Sequence, residues 1–162
     1  MSMDSVEGGA PLSKIIEDAS QKVRHITLDE SDCKYILYAM VRLLYLLNKD
    51  RQLLGHIDPT TIYCFDNGMI KIAGMPINYT DAISKLPASQ NGSNVLSYLS
   101  PEMLTSKDAT YTTTTEIWQL GCLAYELAMR KPLIEAPDYL RKLMEHQEVP
   151  QALRYSGKSK EF

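Results

Sequence analysis

The chain has 162 residues, with 17 Lys and Arg against 20 Asp and Glu, so its formal net charge is −3. This length suits one domain of ordinary size, and 44% apolar with 23% charged residues is the balance of a soluble globular protein. The slight acidic excess argues against a nucleic-acid partner, because domains that bind nucleic acid usually carry a basic surplus. No run of about 18 uncharged apolar residues predicts a membrane span. We therefore expect neither nucleic acid nor a membrane as partner.

The N-terminal residues and the cysteines indicate the compartment. Residues 1–9 have neither the basic nor the apolar segment of a secretory signal. Cys33, Cys64 and Cys122 are isolated and odd in number, which is typical of a reducing compartment without disulfides. No C-x-x-C or H-x-x-H spacing accompanies them, so we expect no metal site. These features predict a cytoplasmic protein.

Two amphipathic helices are predicted in the first third of the chain. Apolar residues within 12–22 recur at helical spacing and predict a first helix. Thr27 and Glu30 form a T-x-x-E pattern, which predicts a capping box at the start of a second, longer helix that ends at 48–50. The apolar stripe of this helix comprises Cys33, Ile36, Leu37, Met40, Leu44 and Leu47.

A hairpin and a long loop follow. Residues 61–65 and 69–73 are two β-prone runs separated by Asp66-Asn67-Gly68, which predicts a β-hairpin. Residues 76–100 contain prolines, several serines and few apolar residues, so we expect a long loop there. A loop of this length inside a domain is usually functional or mobile.

The last part of the chain is predicted to be helical. A third helix is expected over 116–129, with an apolar face of Leu120, Ala124 and Leu127 and with Trp118 packed in the core. Pro137 predicts the start of a fourth helix. The predicted fold is therefore mainly helical, with one small hairpin and no further sheet. We expect one domain over 1–153 and a polar tail over 154–162.

Three motifs in this order resemble the C-terminal lobe of a eukaryotic protein kinase. Ser100-Pro101-Glu102 resembles the A-P-E motif that closes an activation segment. The run from Glu116 to Leu127 resembles D-x-W-S-L-G-C-x-x-Y-E-L, which opens the helix after A-P-E. Asp58-Pro59-Thr60-Thr61-Ile62 resembles the K-P-x-N-[IV] of the catalytic loop. The resemblance implies a mainly α, kinase-like C-lobe with one small hairpin.

The start of the chain resembles a kinase hinge. Residues 3–9, M-D-S-V-E-G-G, are similar to M-E-Y-x-E-G-G, and together with the later motifs they are most similar to the NIMA-related (NEK) group. The resemblance implies weak adenine contacts, with Met3, Asp4, Ser5 and Val6 as hinge candidates. Because the match begins at the hinge and ends after the fourth helix, we expect the N-lobe and the last C-lobe helices to be absent. The family's ligands are ATP and Mg²⁺, whose binding we do not expect here, so no cofactor is predicted.

The resemblance implies that the catalytic positions are degenerate. An ungapped alignment from Pro59 puts His56 where the family has its catalytic aspartate and Asp58 where it has a phosphate-binding lysine. Thr61 stands at the metal-binding asparagine, and Gly74 at the metal-binding aspartate of D-F-G. A second register, shifted by two residues, reads His56-Ile57-Asp58 as H-x-D, but it loses the K-P-x-N spacing.

The resemblance to the family is stronger at the structural positions than at the catalytic positions. These structural positions are Pro59, Pro101, Glu102, Glu116, Trp118 and Gly121. Glu116 stands where the family has an aspartate that accepts backbone hydrogen bonds from the catalytic loop. The arginine that pairs with the glutamate of A-P-E is expected to be missing, so Glu102 needs another partner, solvent or a proton.

A kinase-like fold whose catalytic positions are degenerate predicts a catalytically inactive pseudokinase fragment, which is not an enzyme. We expect this fragment to bind other proteins, such as an active kinase or a cytoskeletal component. The expected location is then cytoplasmic and associated with the cytoskeleton. The alternative is a serine/threonine kinase remnant that keeps ATP binding or weak phosphoryl transfer. Fold alone does not decide between these functions.

Overall fold

A computed structural model describes residues 8–21, 28–73, 77–78, 96–105 and 110–134. Within these ranges the chain forms four α-helices, five short strands and one 3-10 turn. In chain order they are β1 (Gly9–Pro11), α1 (Leu12–Ser20), α2 (Glu30–Lys49), β2 (Gln52–Leu53), β3 (Ile62–Phe65), β4 (Ile70–Ile72), β5 (Ile77–Asn78), the 3-10 turn (Leu96–Tyr98), α3 (Pro101–Thr105) and α4 (Thr113–Met129).

Helix α2 begins with a different capping box from the one predicted. The Asp29 side chain accepts a 2.9 Å hydrogen bond from the Asp32 backbone N–H, and the Asp32 carboxylate accepts a 3.0 Å bond from the Asp29 N–H. Glu30 is therefore the first helical residue and not the third, so the Thr27–Glu30 box is wrong. The predicted apolar stripe is buried except for Leu37, which is half-buried.

The predicted hairpin is present, but it belongs to a larger sheet. Strands β3 and β4 pair antiparallel, as predicted, and β1 adds to the other edge of β3. At this edge Gly9 lies directly against the Phe65 ring. A second pair, β2 with β5, places residues 77–78 of the predicted long loop in a strand. The expectation of one hairpin and no further sheet is wrong, because edge strands offer unpaired backbone groups to passing segments.

Helix α4 begins at Thr113, three residues before its predicted start, and its N-cap is Thr112. Its predicted apolar face is shifted, because Leu127 is buried whereas Leu120 and Ala124 are only half-buried. The buried positions include four polar residues, namely Thr115, Glu116, Gln119 and Glu126. A helix that buries polar side chains must give them partners within the protein.

The main core lies where α1, α2 and the β3–β4 hairpin pack against α4. Cys33 and Cys122 are both buried in this core. The helix predicted from Pro137, the tail 154–162 and residues 79–95 lie outside the described residues. None of the described helices combines the length and the hydropathy that crossing a membrane requires.

Candidate functional site

The loop between β2 and β3, residues 54–61, lies on the polar face of α4. The Glu116 carboxylate, whose residue is 2% exposed, accepts hydrogen bonds from the backbone N–H groups of Leu54 and Gly55. Burial raises the pKa of Glu116, and the two backbone hydrogen bonds act in the opposite direction. The start of the loop is thus bound to the first turns of α4.

Gln119 lies one turn further along α4 and binds the middle of the loop. Its Oε1 accepts a 3.0 Å hydrogen bond from the Ile57 backbone N–H, and its Nε2 lies 3.1 Å from Nδ1 of His56. The residue is fully buried. Because a buried amide must satisfy both of its ends, these two contacts fix where the loop sits.

His56 and Asp58 form a pair at the centre of the loop. Nε2 of His56 lies 2.9 Å from Oδ2 of Asp58. The other Asp58 oxygen accepts bonds from the backbone N–H groups of Thr60 and Thr61, at 2.6 and 3.2 Å. Burial pushes the pKa of Asp58 up, but the contacts with His56 and Thr60 outweigh it and lower the pKa below its ordinary value. Asp58 is therefore an ionised, buried carboxylate.

Two tyrosines make contacts near the loop, Tyr111 with His56 of the loop and Tyr98 with α4. The Tyr111 hydroxyl lies 3.4 Å from Nδ1 of His56, and burial raises the pKa of Tyr111, so the hydroxyl keeps its proton. The Tyr98 hydroxyl donates a 2.8 Å hydrogen bond to Glu126 of α4. This second bond links the segment before α3 to the buried face of α4.

The structure brings only part of the predicted site together. His56, Asp58 and Thr61 lie in one loop, as their spacing in the sequence requires. The hinge candidates Met3, Asp4, Ser5 and Val6, and also Gly74, lie outside the described residues. The second register reads Asp58 as the catalytic aspartate. However, Asp58 is only 2% exposed, and the hydrogen bonds described for its carboxylate go to residues of the loop itself.

The predicted scaffold residues differ in their surroundings. The Pro59 carbonyl accepts a 2.9 Å bond from the Ser13 N–H and so joins the loop to α1. Glu102, next to Pro101, accepts a 3.1 Å bond from the Thr115 hydroxyl, so a hydroxyl group is a partner of this carboxylate. Trp118 is only half-buried, although it packs against the core. Gly121 is exposed, and a Cβ added there would have no described atom within 4 Å, so it has no packing role among the described residues.

The described residues of the loop do not fit Mg²⁺. This ion needs several hard oxygen ligands, usually carboxylates. Both Asp58 oxygens are occupied, and the Thr61 hydroxyl donates a 2.9 Å bond to the Asp58 carbonyl. No group of three or more His, Cys, Asp or Glu side chains suited to a metal occurs in the described ranges. We therefore assign no step to a metal bound by these residues.

Gln119 and Tyr111 contact His56 but were not predicted from the sequence. Gln119 follows Glu116 by three residues and so lies on the same helix face. That spacing of two polar residues on one face of a helix rich in apolar side chains was the available signal. Tyr111 precedes the helix, and nothing local in its sequence indicates the contact with the loop.

An apolar groove is lined by α1, α2 and the β3–β4 hairpin and by none of the residues of the loop 54–61. Its volume is about 360 Å³. Helices α1 and α2, the segment just before α2 and the hairpin provide apolar walls: Ile15, Leu28, Ile36, Phe65, Met69 and Ile70. Asp32 and Asp66 add two carboxylates, and no Lys or Arg is among the described residues that line the groove. The Tyr35 hydroxyl bridges α2 to the hairpin turn through a 2.9 Å bond to the Gly68 carbonyl.

The protein kinase domain family model matches residues 1–161. The chain is 27% identical over 116 residues to a rice protein called mitogen-activated protein kinase 6, covering 72% of the chain and 30% of that protein. It is 27% identical over 157 residues to a serine/threonine-protein kinase MPS1 of Encephalitozoon cuniculi, covering 94% of the chain and 25% of that protein. It is 30% identical over 128 residues to a probable inactive serine/threonine-protein kinase of Dictyostelium discoideum, covering 69% of the chain and 15% of that protein.

These similarities overturn the prediction that the chain is not an enzyme. The family model and the serine/threonine kinase relatives point to a protein kinase, although the identities are low. The chain spans less than a third of the length of these relatives. With a kinase model matched along almost all its length and with kinases among its relatives, the chain belongs to the protein kinase domain family.

Proposed function

We propose that this chain forms part of a serine/threonine protein kinase, as its C-terminal lobe, and that its loop 54–61 receives the hydroxyl group of a protein substrate at His56. The observation that supports this most directly is the pair of hydrogen bonds from Leu54 and Gly55 to Glu116. A catalytic loop must be fixed relative to the helix beneath it, because phosphoryl transfer depends mainly on positioning and charge stabilisation.

The chemistry of the step requires one proton acceptor. The substrate oxygen forms a bond to the γ-phosphorus of ATP, the bond from this phosphorus to the β–γ bridging oxygen breaks, and ADP leaves with the electron pair. The hydroxyl proton passes to Nδ1 of His56. Asp58, 2.9 Å from Nε2, stabilises the imidazolium that forms. The substrate hydroxyl takes the place of Tyr111, whose 3.4 Å contact is the longest at this ring. Because Nδ1 has one lone pair, the Gln119 amide, 3.1 Å away, must turn away from it as the proton arrives.

The test is transfer of label from γ-labelled ATP, with Mg²⁺, to a library of Ser/Thr peptides. We expect His56→Ala to reduce the transfer by at least tenfold, and His56→Asp to retain part of it, because a carboxylate also accepts a proton. Ile117→Ala is the matched control, since Ile117 is 61% exposed on α4 beside Glu116. Transfer by the wild-type chain that does not exceed a blank, or that is unchanged in His56→Ala, would contradict the proposal.

A second function, binding of a protein partner, is favoured by the groove between α1, α2 and the hairpin. Its apolar walls fit apolar side chains, and Asp32 and Asp66 fit a basic residue beside them. We propose that the groove binds a short peptide that carries both apolar and basic residues. This role does not compete with phosphoryl transfer, because the groove lies apart from His56.

Fluorescence anisotropy with a labelled peptide of alternating Leu and Arg tests this role. We expect Met69→Lys to abolish binding, because it places on the apolar wall a charge that repels the Arg residues, and Asp66→Asn to weaken binding at low salt. Asp50→Asn is the control, because Asp50 is exposed at the far end of α2 and does not line the groove. Binding that is equal in the wild-type chain and in Met69→Lys would exclude the groove as the site.

The narrower assignments are also proposals. The NIMA-related affiliation is supported by the similarity of residues 3–9 and of the run from Glu116 to Leu127 to that group. A cytoplasmic location with a cytoskeletal or kinase partner follows from this affiliation by analogy. Phylogenetic placement with full-length kinases tests the affiliation, and imaging of the tagged protein in its own cells tests the location.

A further inference from the structure

We propose that Gln119 is a positioning residue that selects one tautomer of His56, in which Nδ1 carries the lone pair and Nε2 carries the proton. The importance of this tautomer rests on the proposed function, in which Nδ1 accepts the substrate proton. The contacts that support it, however, are independent of any activity. They involve Gln119 of α4 and two residues of the loop, Ile57 and Asp58.

The orientation of the Gln119 amide is determined by the loop backbone. The Ile57 N–H is only a donor, so the atom of Gln119 that lies 3.0 Å from it must be the carbonyl oxygen. The amide nitrogen is therefore the atom that lies 3.1 Å from Nδ1 of His56. Because an amide NH₂ donates and does not accept, Nδ1 must be the acceptor.

The other ring nitrogen requires the same tautomer. Nε2 lies 2.9 Å from a carboxylate oxygen of Asp58, which only accepts when ionised. Nε2 must therefore carry a hydrogen. The opposite tautomer would place the Nδ1–H against the amide hydrogens of Gln119 and the Nε2 lone pair against the Asp58 carboxylate. Both contacts would then be repulsive.

Tyr111 does not determine the tautomer. Its hydroxyl lies 3.4 Å from Nδ1 and can turn to donate or to accept, so it adapts to either form. Glu116 is an ionisable group of α4 near the loop, but its described hydrogen bonds go to the backbone of Leu54 and Gly55 and not to the His56 ring. Gln119 is thus the described neighbour of Nδ1 whose donor group is fixed in place, and it therefore selects the tautomer.

Long-range proton–nitrogen NMR spectra of the ¹⁵N-labelled chain test this inference at a mildly alkaline pH. The chain has three histidines, so the spectrum of His56→Asn assigns the His56 signals, and His25 and His146 serve as references. We expect Nδ1 to resonate as a nitrogen with a lone pair and Nε2 as a nitrogen with a bound proton. The reversed assignment, or an even mixture of tautomers, would overturn the inference without any variant of Gln119.

Gln119→Glu removes the donor but keeps an oxygen for the Ile57 N–H. We expect Nδ1 to take up a proton at the same pH, so that its ¹⁵N signal moves most of the way to the protonated position. Tyr111→Phe is the control and should leave the signals where they are. Unchanged signals in Gln119→Glu, or an equal change in Tyr111→Phe, would overturn the role of Gln119.

The outcomes of this test and of the transfer assay are separable. The expected tautomer in a chain without phosphoryl transfer would contradict the proposed function and support the positioning role. Transfer that depends on His56, together with the reversed tautomer, would overturn the positioning role and the assignment of Nδ1 as the proton acceptor, whereas the role of His56 in the transfer would stand. If Gln119→Glu does not fold, the wild-type spectrum still shows which tautomer His56 adopts, and the spectrum of Tyr111→Phe still shows whether Tyr111 determines it.

Discussion

The carboxylate of Glu116 accepts a 3.0 Å hydrogen bond from the backbone N–H of Gly55, although 61 residues separate them in sequence. Both residues are buried. A long-range bond of this kind replaces solvent for a backbone group that belongs to neither a helix nor a strand. Glu116 therefore determines where the loop that contains His56 can lie.

We predict that Glu116→Ala destabilises the chain by about 2–4 kcal/mol, because it leaves two buried backbone N–H groups without an acceptor, each of which costs roughly 1–3 kcal/mol. Urea unfolding monitored by circular dichroism measures this change. Ile117→Ala, on the exposed side of the same helix turn, should change the free energy of unfolding by no more than about 0.5 kcal/mol. Equal effects of the two variants would show that the bonds to Glu116 contribute nothing.

Glu126 should make stability depend on pH. Burial raises its pKa above 4.5, and the bond from Tyr98 only partly opposes this. A carboxyl group with a raised pKa in the folded state binds protons more tightly than in the unfolded state. Its contribution therefore favours folding at low pH and is lost as the pH rises from about 4.5 through the raised value. The variant Glu126→Gln, which keeps an oxygen for the Tyr98 hydroxyl, should remove this loss.

The measurement for Glu126 is the free energy of unfolding at a series of pH values above 4.5 for both proteins. The wild-type curve should fall relative to that of Glu126→Gln across this window. Parallel curves would mean that the carboxyl has the same pKa in the folded and unfolded states. Glu116 has a raised pKa as well and contributes the same slope to both proteins, so it cancels from the comparison.

Ser100 is the residue at which a stabilising substitution is expected. Its side chain is completely buried, and its hydroxyl oxygen has no hydrogen-bond partner among the described residues. Replacement by Ala removes a buried polar group that gains nothing from folding. We predict that Ser100→Ala raises the free energy of unfolding by roughly 1 kcal/mol. A lower melting temperature of this variant would reveal a partner of the hydroxyl.

The contact between Gly9 and Phe65 should exclude larger residues from position 9 of strand β1. A Cβ atom at Gly9 would lie 2.6 Å from the Phe65 ring, which is closer than atoms can approach. We predict that Gly9→Ala destabilises the chain by about 1–3 kcal/mol, as overpacking usually does. The double variant Gly9→Ala with Phe65→Leu should recover part of the loss. A double variant as unstable as the sum of its parts would contradict the clash.

The elements with strong periodicity could be predicted from the sequence. The apolar stripe of α2 and the β3–β4 hairpin follow from local spacing, because one buried face imposes its period on the residues. The capping box is predicted two residues too early, at Thr27, because two acidic residues can form the same reciprocal bonds at Asp29 and Asp32. Strand β1 is not predicted, because three residues carry no period of their own.

The arrangement of the site could be predicted only in part. The alignment with kinase motifs indicated that Glu116 lies under the loop, since that role depends on a single position. The network around His56 could not be predicted, because Gln119 and Tyr111 reach the ring only after α4 packs against the loop. Local patterns contain no information on such contacts between distant segments.

The most direct test of the loop's attachment to α4 is amide hydrogen exchange at Leu54, Gly55 and Ile57, measured by NMR. We predict that these three amides exchange slowly in the wild-type chain, and that Glu116→Ala accelerates Leu54 and Gly55 while Ile57, which is bound to Gln119, remains slower. Exchange of all three amides at the rate of an unstructured peptide in the wild-type chain would contradict it, because the loop would then not be held by α4.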